Sequence, residues 1–152
     1  MPSLISPEQS GFVEGRQIMD GIITAHESIH TLRISSSPGM IIKLDMAKAF
    51  DKASWQFLRG ILTAYGFSQV WTKWILSLIS SPFYSILLNG SPTPTFSPSR
   101  GIRKGDPLSP FLFILMAEGL GHSIKKDVHD SQIQGIKVSP SLPPPLPFAV
   151  CG

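Results

Sequence analysis

Cysteine and charge are both scarce in this chain of 152 residues, and each scarcity excludes a class of protein. The single cysteine, Cys151, cannot build a disulfide framework or a cysteine-rich zinc site. Charged residues make up 15% of the chain, whereas an ordinary globular domain carries roughly 25%. The net charge of +3 permits an anionic partner without requiring one. Hydrophobic residues reach 42%, which argues against disorder throughout.

Long apolar runs and targeting signals are also missing. The longest purely apolar run, residues 111–117, is seven residues long, and a membrane-spanning helix needs about 20. The N-terminus has no basic region followed by an apolar core and a cleavage site. We therefore expect an intracellular protein with no membrane partner, and the sequence names no compartment and no oligomeric state.

Acidic residues are absent from two stretches of the chain. None occurs between Asp51 and Asp106, and none follows Asp130. The first stretch contains three basic residues in one glycine-punctuated segment, Arg100, Arg103 and Lys104. Such a loop could contact phosphates, but charge alone favours a solvated surface loop.

Helical spacing and capping residues predict four helices. Apolar residues recur every three or four positions from Ile18 to Leu32, and the Ser/Pro/Gly-rich residues 35–39 should end that helix. Ser54 and Ser68 are suitable N-caps for the second and third helices. Ser109 followed by proline predicts the N-cap of a fourth, apolar helix that runs to about residue 126.

Three segments read as strands. Residues 40–44 (MIIKL) indicate a short buried strand that ends at Asp45. Residues 83–88 precede Asn89-Gly90, a strong hairpin signal, although prolines make the return strand an irregular edge. Residues 134–138 are a further candidate. Helices and strands mix without a strict βαβ order, so the predicted fold class is α+β.

The tail differs in composition from the rest. Residues 139–147 contain five prolines in nine residues, which favours an extended and unpaired chain. We therefore predict one domain over residues 1–138, followed by a proline-rich, unstructured tail over residues 139–152.

Asp45 and Asp51 are the acidic residues best placed for chemistry. A carboxylate at the end of a strand is a common ligand of Mg²⁺, but position alone slightly favours a role for Asp45 as a cap of the segment that follows. Asp51 reads as a turn or capping residue. Phe50 reads as a core residue on its pattern alone.

Three sequence blocks together resemble a known family. They are residues 9–18 (QSGFVEGRQI), 43–51 (KLDMAKAFD) and 100–113 (RGIRKGDPLSPFLF). In order and spacing they resemble the reverse transcriptase of non-long-terminal-repeat (LINE-like) retrotransposons, and the plant type is the most similar. The resemblance covers residues 4–138 and implies an incomplete fingers and palm portion of a right-hand polymerase.

The resemblance also implies a chemistry and a set of site residues. The family is an RNA-directed DNA polymerase that takes an RNA template, a DNA primer and deoxynucleoside triphosphates, and two Mg²⁺ ions assist nucleotidyl transfer. By motif position, Asp45 would be a catalytic metal ligand and Phe50 the aromatic gate against a ribose 2′-hydroxyl. Lys104 and Gly105 would line the nucleotide and template side. Arg16 would lie near the incoming triphosphate.

The end of the chain departs from the family pattern. The family carries a Phe-x-Asp-Asp motif after its next palm strand, whereas residues 148–151 here are Phe-Ala-Val-Cys. Val150 and Cys151 therefore stand where two carboxylates are expected. The sequence predicts a fragment truncated at the palm hairpin, without a thumb, that binds Mg²⁺ poorly and is catalytically inactive.

Two other functions stay open at this point. The first is a residual nucleic-acid-binding module that uses Arg100, Arg103 and Lys104 and has no catalytic activity. The second is a decayed product without function, because an incomplete palm would expose strand edges and apolar faces.

Overall fold

Helices dominate the structure, a computed structural model that describes residues 4–35 and 38–136. The chain divides into two units: Met1–Asp45 with Met116–Gly152, and Met46–Leu115. We number the elements in chain order: α1 (Ile18–Ile34), α2 (Ala49–Lys52), α3 (Trp55–Ala64), α4 (Gln69–Ser80), β1 (Leu87–Leu88), β2 (Ser91–Pro92) and α5 (Ser109–His129). The mixture of helices with a small sheet confirms the coarse α+β expectation.

The first three predicted helices are confirmed as α1, α3 and α4. Ser54 accepts a hydrogen bond from the backbone N–H of Phe57, and Ser68 accepts one from that of Trp71, so both serines cap their helices as expected. Leu58 and Leu62 of α3 are fully buried, and Ile75 of α4 is also buried. The pair of helices therefore supplies much of the core of the second unit.

The hairpin forms at the predicted turn, but its strands are short. Asn89 and Gly90 both have positive φ angles, +51° and +83°, as a type I′ turn requires. β1 and β2 pair antiparallel through two residues each, and one isolated bridge joins Tyr84 to Phe96. Three prolines on the returning side remove hydrogen-bond donors, which explains why the ladder is interrupted.

Helix α5 begins one residue earlier than the sequence predicts. Ser109 is the first helical residue rather than the N-cap. Just before the helix, the carboxylate of Asp106 accepts a hydrogen bond from the N–H of Leu108 at 2.8 Å. Among the described residues, no helix, α5 included, has both the length and the apolar character that crossing a bilayer demands.

The predicted strand over residues 40–44 is wrong. These residues adopt no regular structure, and the apolar side chains of Met40, Ile42 and Leu44 are 64–75% exposed. A strand needs a hydrogen-bonded neighbour, and the one sheet of the described residues pairs β1 with β2 only. The β-branched composition of the segment therefore does not fold it into a strand.

Polar side chains join the N-terminal segment to α5 within the first unit. Ser6 donates its hydroxyl hydrogen to the buried carboxylate of Glu118 at 2.8 Å, and Lys125 forms an ion pair with Glu8 at 3.0 Å. Burial raises the pKa of Glu8, but the hydrogen bond and the charge of Lys125, together with backbone hydrogen bonding, outweigh burial and hold the pKa below its ordinary value. The Glu8 carboxylate is therefore stabilised in its charged form.

The C-terminal segment is described only as far as residue 136. Residues 134–136 form no strand, so the candidate strand over 134–138 is not present in its described part. Residues 137 and 138 and the predicted tail over 139–152 lie outside the described residues.

Candidate functional site

Two of the sequence blocks meet through their backbones in the second unit. The N–H of Ile102 donates to the carbonyl of Phe50 at 2.9 Å, and the N–H of Gly101 donates to the carbonyl of Ala53 at 2.8 Å. Ala53 and Ile102 are 5% and 4% exposed, so water cannot easily compete for these bonds. We call this contact between residues 50–53 and 101–102 the junction.

Gly101 makes the close approach at the junction possible. Its φ angle is +97°, and a Cβ placed on it would lie 3.0 Å from the carbonyl oxygen of Asp51. The indole N–H of Trp55 donates to the carbonyl of Gly101 at 2.7 Å. A glycine is required here both for its backbone conformation and for its lack of a side chain.

Lys104 and Asp51 form an ion pair beside the junction. The Lys104 ammonium lies 3.3 Å from Oδ2 of Asp51, and the two side chains are 66% and 51% exposed. Asp51 lies in the four-residue helix α2, which follows Lys48 in a left-handed conformation with φ +56°. The pair therefore joins one residue from each of the two sequence blocks.

Gly105 occupies the position in a turn that demands a positive φ angle. The N–H of Asp106 donates to the carbonyl of Arg103 at 3.4 Å, and Gly105, at the third position of this turn, has φ +84°. That arrangement is typical of a type II turn. Nothing lies within 4 Å of a Cβ placed on Gly105, so the backbone is open on this side.

The two arginines of the loop are exposed. Arg103 lines a depression of about 380 Å³ together with Tyr84 and Asp106. Arg100 directly precedes the junction. With Lys104, these side chains give the loop over residues 100–105, which we call the basic loop, three exposed cationic groups.

Phe50 is half-buried and packs on another aromatic ring. Its ring centroid lies 4.9 Å from that of Phe113, at an interplanar angle of 13°. Stacked aromatic pairs stabilise a fold beyond the area they bury. The Phe50 side chain is thus held in place by α5 while its carbonyl belongs to the junction.

Asp45 lies in the irregular segment of the first unit, and its side chain is exposed. The sequence placed it at the end of a buried strand, which is wrong for the reason given above. Among residues 4–35 and 38–136, no group of three or more His, Cys, Asp or Glu side chains is arranged to hold a metal ion. Asp45 therefore belongs to no such group among the described residues.

Arg16 contacts backbone carbonyls of its own unit. Its guanidinium donates to the carbonyl of Gln9 at 2.7 Å, to that of Ile5 at 3.0 Å, and to that of Ser6. These bonds hold the turn-rich residues 5–9 together. This is a structural contact that the sequence did not indicate.

The family resemblance assigned Phe50, Lys104, Gly105 and Arg16 to nucleotide binding. The structure brings the block of Phe50 into contact with the block of Lys104 and Gly105, and Arg16 contacts residues 5–9 instead.

Sequence reasoning missed two residues that build the site, Asp51 as the partner of Lys104 and Trp55 as the donor to Gly101. An acidic residue at the start of a long acid-free stretch was the available signal for Asp51. No sequence signal marks Trp55, because its partner is a backbone carbonyl distant in sequence.

Comparison with known proteins places these blocks in a family. Residues 1–139 match the reverse transcriptase (RNA-dependent DNA polymerase) family. The chain is 32% identical over 118 residues to a Xenopus laevis protein named "Transposon TX1 uncharacterized 149 kDa protein". The aligned residues make up 78% of this chain and 9% of that protein. It is also 32% identical over 88 residues, 58% of this chain and 8% of the relative, to the Drosophila melanogaster "Retrovirus-related Pol polyprotein from type-2 retrotransposable element R2DM".

A third relative is a mitochondrial protein of Arabidopsis thaliana, 44% identical over 62 residues, which are 40% of this chain and 51% of that protein. The chain thus spans between 8% and 51% of the length of these three relatives. The Xenopus and Drosophila relatives are proteins of non-long-terminal-repeat retrotransposons, as the three blocks predicted. The match over residues 1–139 and the retrotransposon relatives show that this chain belongs to the reverse transcriptase family.

Proposed function

We propose that the chain is the fingers and part of the palm of a plant-type non-long-terminal-repeat reverse transcriptase, a right-hand polymerase. In this proposal Phe50 rejects the ribose 2′-hydroxyl, and Lys104 and Gly105 line the nucleotide and template side. Arg16 acts near the triphosphate by organising residues 5–9 rather than by direct contact. The substrates are an RNA template, a DNA primer and deoxynucleoside triphosphates.

One observation carries the proposal. The junction connects the Phe50 block to the Lys104 block through backbone hydrogen bonds of 2.8 and 2.9 Å, although about 50 residues separate them in sequence. Backbone bonds fix the positions of both blocks whichever side chains they carry. Such a preformed frame is what a nucleotide-binding surface needs, because rigid neighbours position the contacting groups.

The divalent metal that the family implies does not fit the described residues by themselves. Two ions bound close together around a phosphate need several carboxylates, and Asp45 has no such neighbours in the described structure. By motif position we propose Asp45 as one metal ligand, although the described residues bring no set of carboxylates around it and no acidic residue follows Asp130. No catalytic step follows from Asp45 alone.

The first test is primer extension. We expect the 152-residue chain, given an RNA template, a DNA primer, deoxynucleotides and Mg²⁺, to incorporate no nucleotide above background, because transition-state charge would lack its metal ions. Extension products separated on a denaturing gel provide the measurement. Template-dependent incorporation by the unmodified chain would refute the expected inactivity. If the unmodified chain did incorporate nucleotides, incorporation that survived Asp45→Ala would also refute the assignment of Asp45.

The exposed basic loop favours a second candidate function, nucleic-acid binding without catalysis. Arg100, Arg103 and Lys104 are all exposed. They lie in the acid-free stretch of the sequence, where only Asp51 is close enough for an ion pair among the described residues. Cationic side chains on a fixed loop bind phosphates and release condensed counterions.

The second test replaces the three basic residues of the loop together. We expect Arg100→Ala, Arg103→Ala and Lys104→Ala, combined, to weaken binding of a fluorescein-labelled single-stranded RNA about tenfold at low salt and to flatten its salt dependence. Fluorescence anisotropy between 50 and 200 mM NaCl measures both. The control removes the same charge from three exposed helical residues, by combining Arg33→Ala, Arg59→Ala and Lys73→Ala. Equal losses in both variants would show that the loop has no special role.

A further inference from the structure

We infer that Asp51 is an intramolecular competitor of nucleic-acid phosphate for Lys104, and so a positioning residue that controls how much charge the basic loop offers. The inference rests on the proposed nucleic-acid-contacting role of that loop. Its basis is the ion pair between Oδ2 of Asp51 and the ammonium of Lys104 at 3.3 Å.

Backbone hydrogen bonds keep the Asp51 carboxylate close to the basic loop. Its neighbours Phe50 and Ala53 accept the two hydrogen bonds of the junction, and its own carbonyl oxygen lies 3.0 Å from the Cβ position of Gly101. Asp51 therefore cannot move away from the loop without breaking the junction. The carboxylate stays near Lys104 whether or not the two side chains are paired.

The ion pair is weak enough to be exchanged. Both side chains are more than half exposed, and an exposed pair contributes little because water and salt screen it. A phosphate bears the same sign of charge as Asp51 and accepts the same hydrogen bonds from an ammonium. A nucleic-acid backbone that reaches the loop can thus replace Asp51 as the partner of Lys104, and the carboxylate then repels that phosphate.

The experiment removes the negative charge of Asp51 and keeps the size of its side chain. We expect Asp51→Asn to raise the affinity of the full chain for a 20-nucleotide single-stranded RNA about two- to fivefold at 50 mM NaCl. The salt dependence should become steeper, since one more ammonium contacts phosphate. Glu27→Gln is the matched control, because Glu27 is exposed, it forms no ion pair with another described residue, and its replacement removes the same charge.

A double variant separates the action on Lys104 from a general change in charge. With Lys104→Gln in place, Asp51→Asn should raise the affinity no more than Glu27→Gln does. An equal gain with and without Lys104 would overturn the inference, as would a gain from Glu27→Gln alone that equals that of Asp51→Asn. No RNA binding by any variant would overturn the proposed role of the loop, and the inference with it. Binding that appears only after Asp51→Asn would support both.

Circular dichroism of each variant checks that the differences in RNA affinity do not come from unfolding. Asparagine has the size of aspartate, and the junction uses the backbone of this segment rather than the side chain. We therefore expect the thermal unfolding midpoints of Asp51→Asn and Glu27→Gln to stay close to that of the parent chain. A gain in affinity that accompanies unfolding would count against the inference, because unfolded basic chains bind RNA without a fixed site.

Discussion

Replacing Gly101 with alanine is expected to lower the free energy of unfolding by about 3 kcal/mol. Part of the loss arises because φ at +97° is unfavourable for any residue with a Cβ. The rest arises because that Cβ would lie 3.0 Å from the carbonyl oxygen of Asp51, a backbone atom that cannot rotate away. Urea denaturation followed by circular dichroism measures the change as a lower midpoint with an unchanged slope.

Gly105→Ala is the matched control for this prediction. Its φ angle of +84° is comparably unfavourable, but nothing lies within 4 Å of the added Cβ. We therefore expect a loss of only about 1 kcal/mol, the part due to backbone conformation. Equal losses in the two variants would show that the close approach of Gly101 to Asp51 contributes nothing.

Leu58→Ala is expected to lower the free energy of unfolding by about 2–5 kcal/mol. Leu58 is fully buried on α3, next to the equally buried Leu62 and within the helix pair that α3 forms with α4. Removing its branched end leaves a cavity that rigid helices cannot close completely. Since domains of this size are stable by only about 5–15 kcal/mol, a sizeable unfolded population should appear well below the parent midpoint.

Leu78→Ala on α4 makes the same chemical change at a position that is 51% exposed. We expect it to change stability by about 0.5 kcal/mol at most. Both substitutions raise helix propensity by a similar small amount, so the difference between them isolates the effect of burial. Similar losses at the two positions would mean that the α3–α4 pair is not a packed core.

Local signals were enough to predict α1, α3 and α4 and the turn of the hairpin, but they did not predict α2. Ser54 and Ser68 cap their helices through their own hydroxyls. Asn89 and Gly90 both adopt the positive φ angles that their turn needs, which requires no contact with distant residues. Each of these features depends on neighbours within about four positions. The sequence pattern therefore contains all the information that the feature needs.

The features that failed or were missed depend on partners far along the chain. Residues 40–44 have the composition of a strand, but composition does not supply the neighbouring strand that would pair with them. The bond from Trp55 to the carbonyl of Gly101 and the pair of Lys104 with Asp51 join residues about 50 positions apart. The acceptor of Trp55 is a backbone carbonyl, which has no sequence signature. The position of Asp51 at the start of the acid-free stretch marks the residue but does not identify Lys104 as its partner.

The junction also has a cost that arises from its place in the chain. Joining residues 53 and 101 closes a loop of about 50 residues, and the entropy lost on closure is roughly 3 kcal/mol. Three hydrogen bonds, two between backbones and one from Trp55, return about 3 kcal/mol together. These amounts cancel, so the junction persists only because α3, α4 and the hairpin fold the intervening chain. We therefore expect the arrangement around Phe50 and Lys104 to be lost in the same unfolding transition as α3, α4 and the hairpin.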